Sequence, residues 1–365
     1  MTTRKSVQKE RKYQDPLCRF TATPLTTDLQ AMGRTVRLET NSATVLAGMV
    51  GLFERYGRAP VTPRKPVRRP DFLWRIVGET NSDLKPPWPK MTAFSDDGLR
   101  YVNFGQRNFL AVDLEAREAV AFLSEELAND ELGFSSIFAS TLFDLTAPAM
   151  KLMPVAAACV ALNGKALLIF GPPTSGKTTS TYLAGRQGLE FHADQVTYLD
   201  LKRNSIQAWG QFWPAAFRPE TIRYLPELST VVRPLSGQRF TLLCVPGSQL
   251  GCSQPRGVVP VAGIFLERRT TSTACLIRLS RPQASSSVME IVPFRDDKCF
   301  EPRQSAILST VARMPVYRLC YGPDPADAAP IFRRLLTAHG LRRKGQETAQ
   351  ERSRCLRKLP QSTHR

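Results

Sequence analysis

Apolar and polar positions follow short, regular patterns in the first half of the chain. Strand-like alternation and short β-like segments predict strands, and apolar residues with helical spacing predict helices. Strands are predicted at residues 35–40, 72–77 and 109–114, and helices at 43–56 and around 132–152. This mixture predicts an α+β amino-terminal domain over residues 13–148.

The second half opens with two apolar segments, 157–162 and 165–170, which are separated by Asn163 and Gly164. An Asn-Gly pair supplies the two positive φ angles of a type I′ turn, so these segments predict a β-hairpin. The second strand of the hairpin runs directly into Gly171.

The segment after the hairpin predicts a short helix followed by a long strand. The helix is predicted over 177–186 with Gly188 as its C-cap, and the strand over 189–201. With the later apolar segments, these elements predict a second domain over residues 149–340.

Basic residues outnumber acidic ones, but the excess is concentrated in three segments. The 365 residues carry a formal net charge of +18, of which residues 1–12, 58–75 and 341–365 hold +15. The second segment includes a Pro- and Arg-rich loop, 58–70, with four prolines. Because the rest of the chain is close to neutral, the high charge alone does not indicate a nucleic-acid-binding domain. We expect 1–12 to be a basic tail and 341–365 to be a basic, disordered tail.

The overall composition excludes several classes of protein. A content of 42% hydrophobic and 22% charged residues is that of a globular protein and excludes disorder of the whole chain. The longest apolar run, 154–162, is half of the roughly 18 residues that a spanning helix needs, so no membrane partner is expected. Residues 1–12 do not resemble a signal peptide. Eight cysteines and three histidines show no zinc-ligand spacing, and we expect a cytoplasmic protein with reduced cysteines.

Residues 171–178, Gly-Pro-Pro-Thr-Ser-Gly-Lys-Thr, match the pattern G-x-x-x-x-G-K-[ST] between a predicted strand and a predicted helix, and we call them the glycine loop. The glycines allow the backbone to approach phosphate oxygens, and the helix N-terminus adds N–H donors. Lys177 supplies positive charge to the β- and γ-phosphates, and the Thr178 hydroxyl can bind Mg²⁺. The predicted cofactors are therefore ATP and Mg²⁺. The predicted nucleotide-binding residues are Gly171, Pro172, Pro173, Thr174, Ser175, Gly176, Lys177, Thr178 and Thr179.

Motifs of two other nucleotide-binding classes are missing from the sequence. The Asn-Lys-x-Asp motif of GTPases does not occur. Residues 235–238, Leu-Ser-Gly-Gln, lack one glycine of the ABC-ATPase signature, and the apolar segment after them does not end in an acidic pair. We interpret residues 235–238 as a Ser-Gly turn.

An acidic residue follows the glycine loop at short range. Asp194 lies seventeen residues after Lys177, at the end of the segment Gly-Leu-Glu-Phe-His-Ala-Asp over 188–194. This order of hairpin, loop, short helix and strand resembles the HPr kinase/phosphorylase family, whose nucleotide site is related to that of phosphoenolpyruvate carboxykinases. Weaker similarity is found at residues 219–228, 265–267 and 314–319. The resemblance implies an α/β fold with a P-loop kinase core of this type, preceded by the α+β domain.

The resemblance also implies a role for each matching residue. Lys177 and Asp194 would be catalytic, and Thr178 and Asp194 would hold the metal. Asp194 would also accept the proton of the incoming hydroxyl. The implied activity is that of an ATP-dependent kinase, which transfers the γ-phosphate to a hydroxyl of an unknown acceptor: a serine of a protein or peptide, or a small molecule. Relatives commonly form oligomers, which implies a homo-oligomer here.

Two positions depart from the family pattern. Gln195 stands where the family has a second aspartate, and Ala156 stands where many relatives have a histidine. Both changes bear on catalysis rather than on nucleotide binding. The alternative is therefore a nucleotide-binding regulatory or scaffold protein with weakened turnover. A third hypothesis, a nucleic-acid-linked ATPase, rests on the basic segments alone and lacks motor motifs, so no nucleic-acid partner is expected.

Other polar side chains near these segments are weaker candidates. His192 shares a strand face with Asp194 in the predicted strand, although a packed histidine is the simpler interpretation. The arginines at 268–269 follow an apolar segment, and we expect a solvated strand end there. Arg218 and Arg223 flank a predicted helix start where an acceptor clamp is conceivable, and they are assigned no role.

Overall fold

The computed structural model describes residues 22–54, 69–79, 85–96, 98–105, 107–202, 205–236, 241–245, 256–270, 274–289, 291 and 301–340. The two predicted tails and residues 58–68 of the predicted Pro- and Arg-rich loop lie outside these ranges. The described residues form a mixed α/β fold with four sheets, which confirms the α/β class. None of the helices in these ranges is long and apolar enough to cross a membrane. The domain boundary near residue 148 stays a prediction.

The first sheet has seven strands in the order β1-β2-β3-β7-β6-β5-β4. They are β1 (Leu25–Ala31), β2 (Arg34–Thr40), β3 (Phe72–Glu79), β4 (Thr92–Asp96), β5 (Leu99–Asn103), β6 (Phe109–Asp113) and β7 (Glu118–Ser124). The pairs β2–β3 and β3–β7 are parallel, and the other neighbours are antiparallel. Burial alternates along β2 and β6, and in β2 it follows the period-2 sequence pattern from which the strand was predicted.

Helices cover this sheet and share its core. They are α1 (Ala43–Phe53), α2 (Glu125–Asn129), α3 (Glu131–Gly133) and α4 (Ser140–Thr146), and a π-helical turn (Phe134–Ala139) joins α3 to α4. The hydroxyls of Ser42 and Ser124 accept N–H groups at 3.3 Å and cap α1 and α2. The helix predicted over 132–152 ends at Thr146, because residues 147–150 turn the chain toward the next strand.

The remaining described strands form three sheets. They are β8 (Met153–Val155), β9 (Ala158–Leu162), β10 (Lys165–Phe170), β11 (Glu190–Ala193), β12 (Thr197–Lys202), β13 (Ser205–Trp209), β14 (Ala215–Phe217), β15 (Arg233–Ser236), β16 (Thr241–Val245), β17 (Val259–Arg268), β18 (Cys275–Arg278) and β19 (Val316–Tyr321). The largest of these sheets has six strands in the order β11-β9-β10-β17-β19-β18. The two smaller sheets have the orders β13-β12-β8 and β14-β16-β15.

Four strands of the six-stranded sheet run in one direction. β10, β17 and β19 are parallel neighbours. β11 has the same direction because β10 and β11 are both antiparallel to β9. The carboxyl ends of all four strands therefore lie at one edge of the sheet.

Both faces of the six-stranded sheet are buried under helices. These are α5 (Lys177–Arg186), α6 (Arg281–Met289), α7 (Glu301–Arg313) and α8 (Ala329–Gly340). Along β10, Leu167 and Ile169 belong to the core that contains α5 and α8 side chains, whereas Leu168 and Phe170 belong to the core that contains α6 and α7 side chains. Burial on both faces explains why β10 is apolar throughout instead of alternating.

The hairpin and the short helix agree with their predicted positions. Asn163 and Gly164 have φ angles of 51° and 77°, as a type I′ turn requires. Helix α5 begins and ends at the predicted residues, and Gly188 follows it with a φ of 84°.

The predicted strand over 189–201 is wrong as a single strand. β11 ends at Ala193 and β12 begins at Thr197, and the two belong to different sheets. β11 pairs with β9, whereas β12 pairs with β8 and β13. Because the two halves of the apolar run have different partners, the chain bends between them at Asp194 and Gln195.

Four cysteines lie in the described ranges, and all four are free. Cys159, Cys244 and Cys320 are buried, and Cys275 is half-buried. Burial raises the pKa of the Cys159 thiol to about 12, so this cysteine is not a nucleophilic thiolate at neutral pH.

A half-buried aspartate, Asp144, joins the helical layer of the first sheet to the strand after the bend. The Tyr198 hydroxyl on β12 donates a hydrogen bond to Asp144 on α4. Tyr198 also packs edge-on against Phe143, with ring centroids 4.9 Å apart. Burial raises the pKa of Asp144 to about 7, which the Tyr198 hydrogen bond partly opposes.

Asp144 should make the stability of the protein pH-dependent. Folding raises the pKa of Asp144 from about 3.9 in the unfolded chain to about 7. The native state is therefore most stable, as far as this group is concerned, below about pH 3.9, and this stability is lost as the pH rises from there through about 7. We expect Asp144→Asn to remove this loss, on the order of 4 kcal/mol at its largest. Urea unfolding at pH 5 and pH 8 measures about 2–3 kcal/mol of this loss, because the rest occurs below pH 5. The exposed Asp96→Asn is the control. An equal pH dependence in wild type and Asp144→Asn would contradict the assignment.

Candidate functional site

The glycine loop lies at the edge where the four parallel strands end. It leaves the end of β10 and leads into α5, and Asp194 follows the end of β11 at the same edge. In sheets with parallel strands, ligand sites form beyond the carboxyl ends of the strands. The topology therefore brings together two segments that are separated in sequence.

The backbone of the glycine loop requires glycine at both of its glycine positions. Gly176 has a φ of 88°, and a Cβ atom there would lie 2.1 Å from the Tyr321 hydroxyl oxygen. That hydroxyl, on β19, donates a hydrogen bond to the backbone oxygen of Ser175. Gly171 has a φ of 150°, and a Cβ atom there would lie 2.5 Å from Ser175 Oγ and 3.2 Å from the backbone oxygen of Leu266. Tyr321 on β19 thus holds the loop by a hydrogen bond, and the end of β17 lies close to Gly171.

Lys177 bridges the beginning of the loop. Its Nζ donates to the backbone oxygens of Gly171 at 2.6 Å and Pro172 at 3.0 Å. Burial lowers the pKa of this ammonium group, and the Asp194 carboxylate partly opposes that effect. In the described structure no side chain caps the N-terminus of α5, so its first N–H groups are available to an oxyanion.

The Asp194 carboxyl group is fully buried beside the start of α5. Its Oδ2 accepts the backbone N–H of Ala216 at 3.3 Å. Among the described residues Oδ1 is buried without a hydrogen-bond partner of ordinary geometry. Burial raises the pKa of Asp194 to about 6, and the Ala216 N–H and then the nearby Thr178 hydroxyl oppose the rise. A hydroxyl and a carboxylate oxygen therefore converge here, and such oxygens are the ligands that Mg²⁺ prefers.

Gln211 is a site residue that sequence analysis missed. Its buried Oε1 accepts the backbone N–H groups of Asp194 and Gln195, both at 3.2 Å. Its Nε2 donates to the backbone oxygen of Trp213 at 3.4 Å. Gln211 thereby satisfies the backbone at the bend where β11 ends. No sequence motif marks it, because its role depends on a contact between distant segments.

The remaining predicted site residues differ in their exposure to solvent. Ser175 is buried, and its Oγ has no hydrogen-bond partner among the described residues. The exposed loop residues are Pro172, Pro173 and Thr174, and the half-buried residues of α5 are Thr178 and Thr179. Ala156 and Gln195, the two positions that depart from the family pattern, are both exposed.

His192 is packed rather than directed at Asp194. It is buried on β11, and its Nε2 lies 3.4 Å from Glu190 Oε2. Glu190 also pairs with Arg256 at 2.9 Å. This geometry favours the interpretation of His192 as a packed histidine rather than as a partner of Asp194.

The arginines at 268–269 are exposed where β17 ends, in agreement with the expected solvated strand end. Together with Arg223 they line a cavity of about 820 Å³ beside the glycine loop. Arg218 is exposed and does not line it. The cavity itself was not predicted, because its wall combines three segments that are distant in sequence.

Comparisons with known proteins give little further information. No protein-family model matches the chain, and no curated protein matches it. Among solved structures, the chain is similar to the HPr(Ser) kinase/phosphatase from Coxiella burnetii, with 12% identity and a TM-score of 0.28 over 53% of this chain and 99% of that chain. A likeness of this size does not establish a family and carries no argument about function.

The fit of the loop over Tyr321 predicts how alanine substitutions change stability. Gly164→Ala, at a positive φ with open space, should cost about 1–2 kcal/mol from the backbone alone. Gly176→Ala should cost at least about 3 kcal/mol because the new methyl group also meets the Tyr321 hydroxyl. Tyr321→Phe should recover part of that added loss in the double variant. Equal costs at Gly164 and Gly176 in urea unfolding would contradict this packing.

Proposed function

We propose that the protein is a Mg²⁺-dependent, ATP-using phosphotransferase of the HPr-kinase-like type. It transfers the γ-phosphoryl group to a hydroxyl, such as a serine of a protein or peptide. One observation supports the proposal most: the fully buried Asp194 carboxyl group, one oxygen of which makes no hydrogen bond of ordinary geometry among the described residues, lies beside the start of α5, where the glycine loop, Lys177 and Thr178 meet. An orphaned buried oxygen costs stability, which favours a ligand at this position.

The glycine loop supports binding of the phosphates. Its glycines hold the backbone in the required conformation, and the uncapped N-terminus of α5 offers N–H groups to phosphate oxygens. Lys177 would exchange the loop carbonyls for phosphate oxygens, because an ammonium group gains more from an anion than from neutral acceptors.

The residues beside the loop fit a magnesium ion. The described chain has no cluster of three or more His, Cys, Asp or Glu side chains that could hold a metal by themselves. Mg²⁺ commonly uses one or two protein oxygens together with substrate phosphates and water. Thr178 and Asp194 would supply those oxygens. When bound, the ion would neutralise charge on the phosphates.

The proposed transfer uses Asp194 as a general base. The acceptor oxygen forms a bond to the γ-phosphorus, the bond from that phosphorus to the β–γ bridging oxygen breaks, and ADP leaves. The hydroxyl proton passes to the Asp194 carboxylate. With a pKa of about 6, Asp194 is mostly ionised at pH 7 and basic enough to accept a proton.

The alternative is a nucleotide-binding regulatory or scaffold protein with weak or no turnover. Gln195 and Ala156 favour it, because neither exposed side chain can replace a carboxylate or an imidazole. The hypothesis of a nucleic-acid-linked ATPase gains no support from the fold, since the most basic segments lie outside the described residues. Measured binding and turnover separate these hypotheses.

Lys177→Ala should weaken binding of Mg²⁺-ADP at least tenfold, a loss of about 1.4 kcal/mol, because it removes the charge beside the loop. Isothermal titration of the purified full chain measures the affinity. Lys202→Ala, which changes an exposed lysine on β12, should leave it within twofold. Equal affinities for wild type and Lys177→Ala would contradict phosphate binding at the loop.

Asp194→Asn should lower the rate at which labelled γ-phosphate is transferred to water or to a mixture of serine peptides. The expected loss is at least about a hundredfold, because general-base catalysis contributes rate factors of this size. Nucleotide affinity should change much less. The exposed Asp327→Asn is the control. Unchanged turnover in Asp194→Asn would remove this residue from the mechanism, whereas tight Mg²⁺-ADP binding with no turnover in wild type would favour the scaffold.

The pH dependence of kcat/KM reports ionisation of the base in the free protein. Since burial raises the pKa of Asp194 to about 6, kcat/KM should fall as the pH decreases through about 6, by tenfold per unit at the acid limit. Residual activity of Asp194→Asn should lack this slope. A wild-type profile that is flat from pH 5 to pH 8 would contradict a role for Asp194 as base.

A further inference from the structure

A second concave surface lies next to the glycine loop, and we call it the arginine cleft. It is the cavity of about 820 Å³ between the outer face of the loop, at Pro172 to Ser175, and the carboxyl end of β17. Tyr224, which follows the 3₁₀ helix Pro219–Arg223, forms part of its wall, as does Pro323 after β19. Lys177 and Asp194 do not line it. The cleft is therefore adjacent to the proposed phosphate site but separate from its buried groups.

The charged residues of the arginine cleft are mostly cationic. They are Arg223, Arg268, Arg269 and Arg318, with Glu267 as the acid among them. Glu267 pairs with Arg269 at 2.9 Å and lies 3.6 Å from Arg318. In the described part of the chain, Arg223 and Arg268 form no salt bridge. The cleft thus has an excess of positive charge where it meets the loop.

Arg223 and Arg268 are held in place by neutral groups. Arg268 Nη2 donates to the Tyr224 hydroxyl at 3.0 Å and to the backbone oxygen of Pro323. The Arg223 guanidinium carbon lies 4.6 Å from the Tyr224 ring centroid, and that of Arg268 lies 5.6 Å from it. The hydrogen bond from Arg268 and both positive charges lower the pKa of Tyr224. Two guanidinium groups are therefore oriented before any ligand arrives, which lowers the entropy lost on binding.

We propose that the arginine cleft binds the acidic groups of the phosphoryl acceptor, a peptide segment with carboxylates near the reacting hydroxyl. This inference rests on the proposed function. A guanidinium group recognises a carboxylate with two parallel hydrogen bonds, and this cleft offers two guanidinium groups without an acidic partner. Its volume lies in the range of sites for ligands much larger than a single phosphate.

The nucleotide is a less suitable occupant of the arginine cleft. Nucleobases are commonly held by stacking on an aromatic face, but the Tyr224 ring packs against two guanidinium groups. The phosphates already have the glycine loop, the α5 N-terminus and Lys177. An acidic acceptor placed in the cleft would lie beside the loop residues Pro172 to Ser175.

Binding of fluorescein-labelled hexaglutamate to the full chain tests the proposal. The double variant Arg223→Gln/Arg268→Gln should weaken binding at least tenfold in 150 mM salt. The matched control Arg218→Gln/Arg313→Gln removes the same charge from exposed positions that do not line the cleft, and should weaken binding less than twofold. Equal weakening in both double variants, or none in the cleft variant, would overturn the proposal.

Titration with Mg²⁺-ADP separates the acceptor from the nucleotide. The cleft variant should bind Mg²⁺-ADP within twofold of wild type. A tenfold loss of Mg²⁺-ADP affinity with unchanged hexaglutamate binding would assign the cleft to the nucleotide and overturn the proposal. If wild type failed to bind Mg²⁺-ADP while the cleft variant still lost hexaglutamate, the proposed kinase function would fail and the site for acidic peptides would stand.

Discussion

The burial of the Asp194 carboxylate is the constraint around which the candidate site is built. A carboxylate removed from water is costly unless hydrogen bonds compensate it. The chain compensates one oxygen with the Ala216 N–H, and Gln211 holds the backbone at the bend. This arrangement requires glycine at position 210, because a Cβ atom there would lie only 2.1 Å from the backbone oxygen of His192. The bend at residues 194–195, the buried side-chain amide of Gln211 and the position of β14 therefore all help to hold the Asp194 side chain.

The second oxygen of Asp194 connects this constraint to the glycine loop. It makes no hydrogen bond of ordinary geometry among the described residues, and the nearby Thr178 hydroxyl of α5 opposes part of the rise that burial causes in the pKa of Asp194. Lys177 lies close enough for the carboxylate to raise its pKa, while its ammonium group bridges the loop carbonyls. The Asp194 carboxylate thus reduces the desolvation cost of the Lys177 ammonium group, and both lie at the one edge where parallel strands end.

Local sequence patterns predicted the parts of the site that depend on neighbouring residues. The Asn163-Gly164 turn, the α5 boundaries and the glycine loop follow from φ preferences and short-range spacing. The break at Asp194 could not be predicted in this way, because an apolar run shows burial but not which strands it pairs with. Gln211 was missed for the same reason.

The arginine cleft and the first sheet depend still more on contacts between distant segments. Arg223 and Arg268 meet only when the 3₁₀ helix after β14 lies against the end of β17. The parallel pairing of β2, β3 and β7 likewise crosses long stretches of chain. Spacing along the sequence has no information about such neighbours, whereas local patterns predicted that β2 and β6 exist.

The central claim is that the glycine loop and Asp194 form one phosphate and metal site. A crystal structure of the full chain with Mg²⁺ and a non-hydrolysable ATP analogue tests it most directly. The account predicts the triphosphate in the glycine loop, Lys177 Nζ moved from the Gly171 carbonyl to a phosphate oxygen, and the metal near Thr178 and Asp194. A triphosphate bound elsewhere, with Lys177 still on the loop carbonyls, would contradict it.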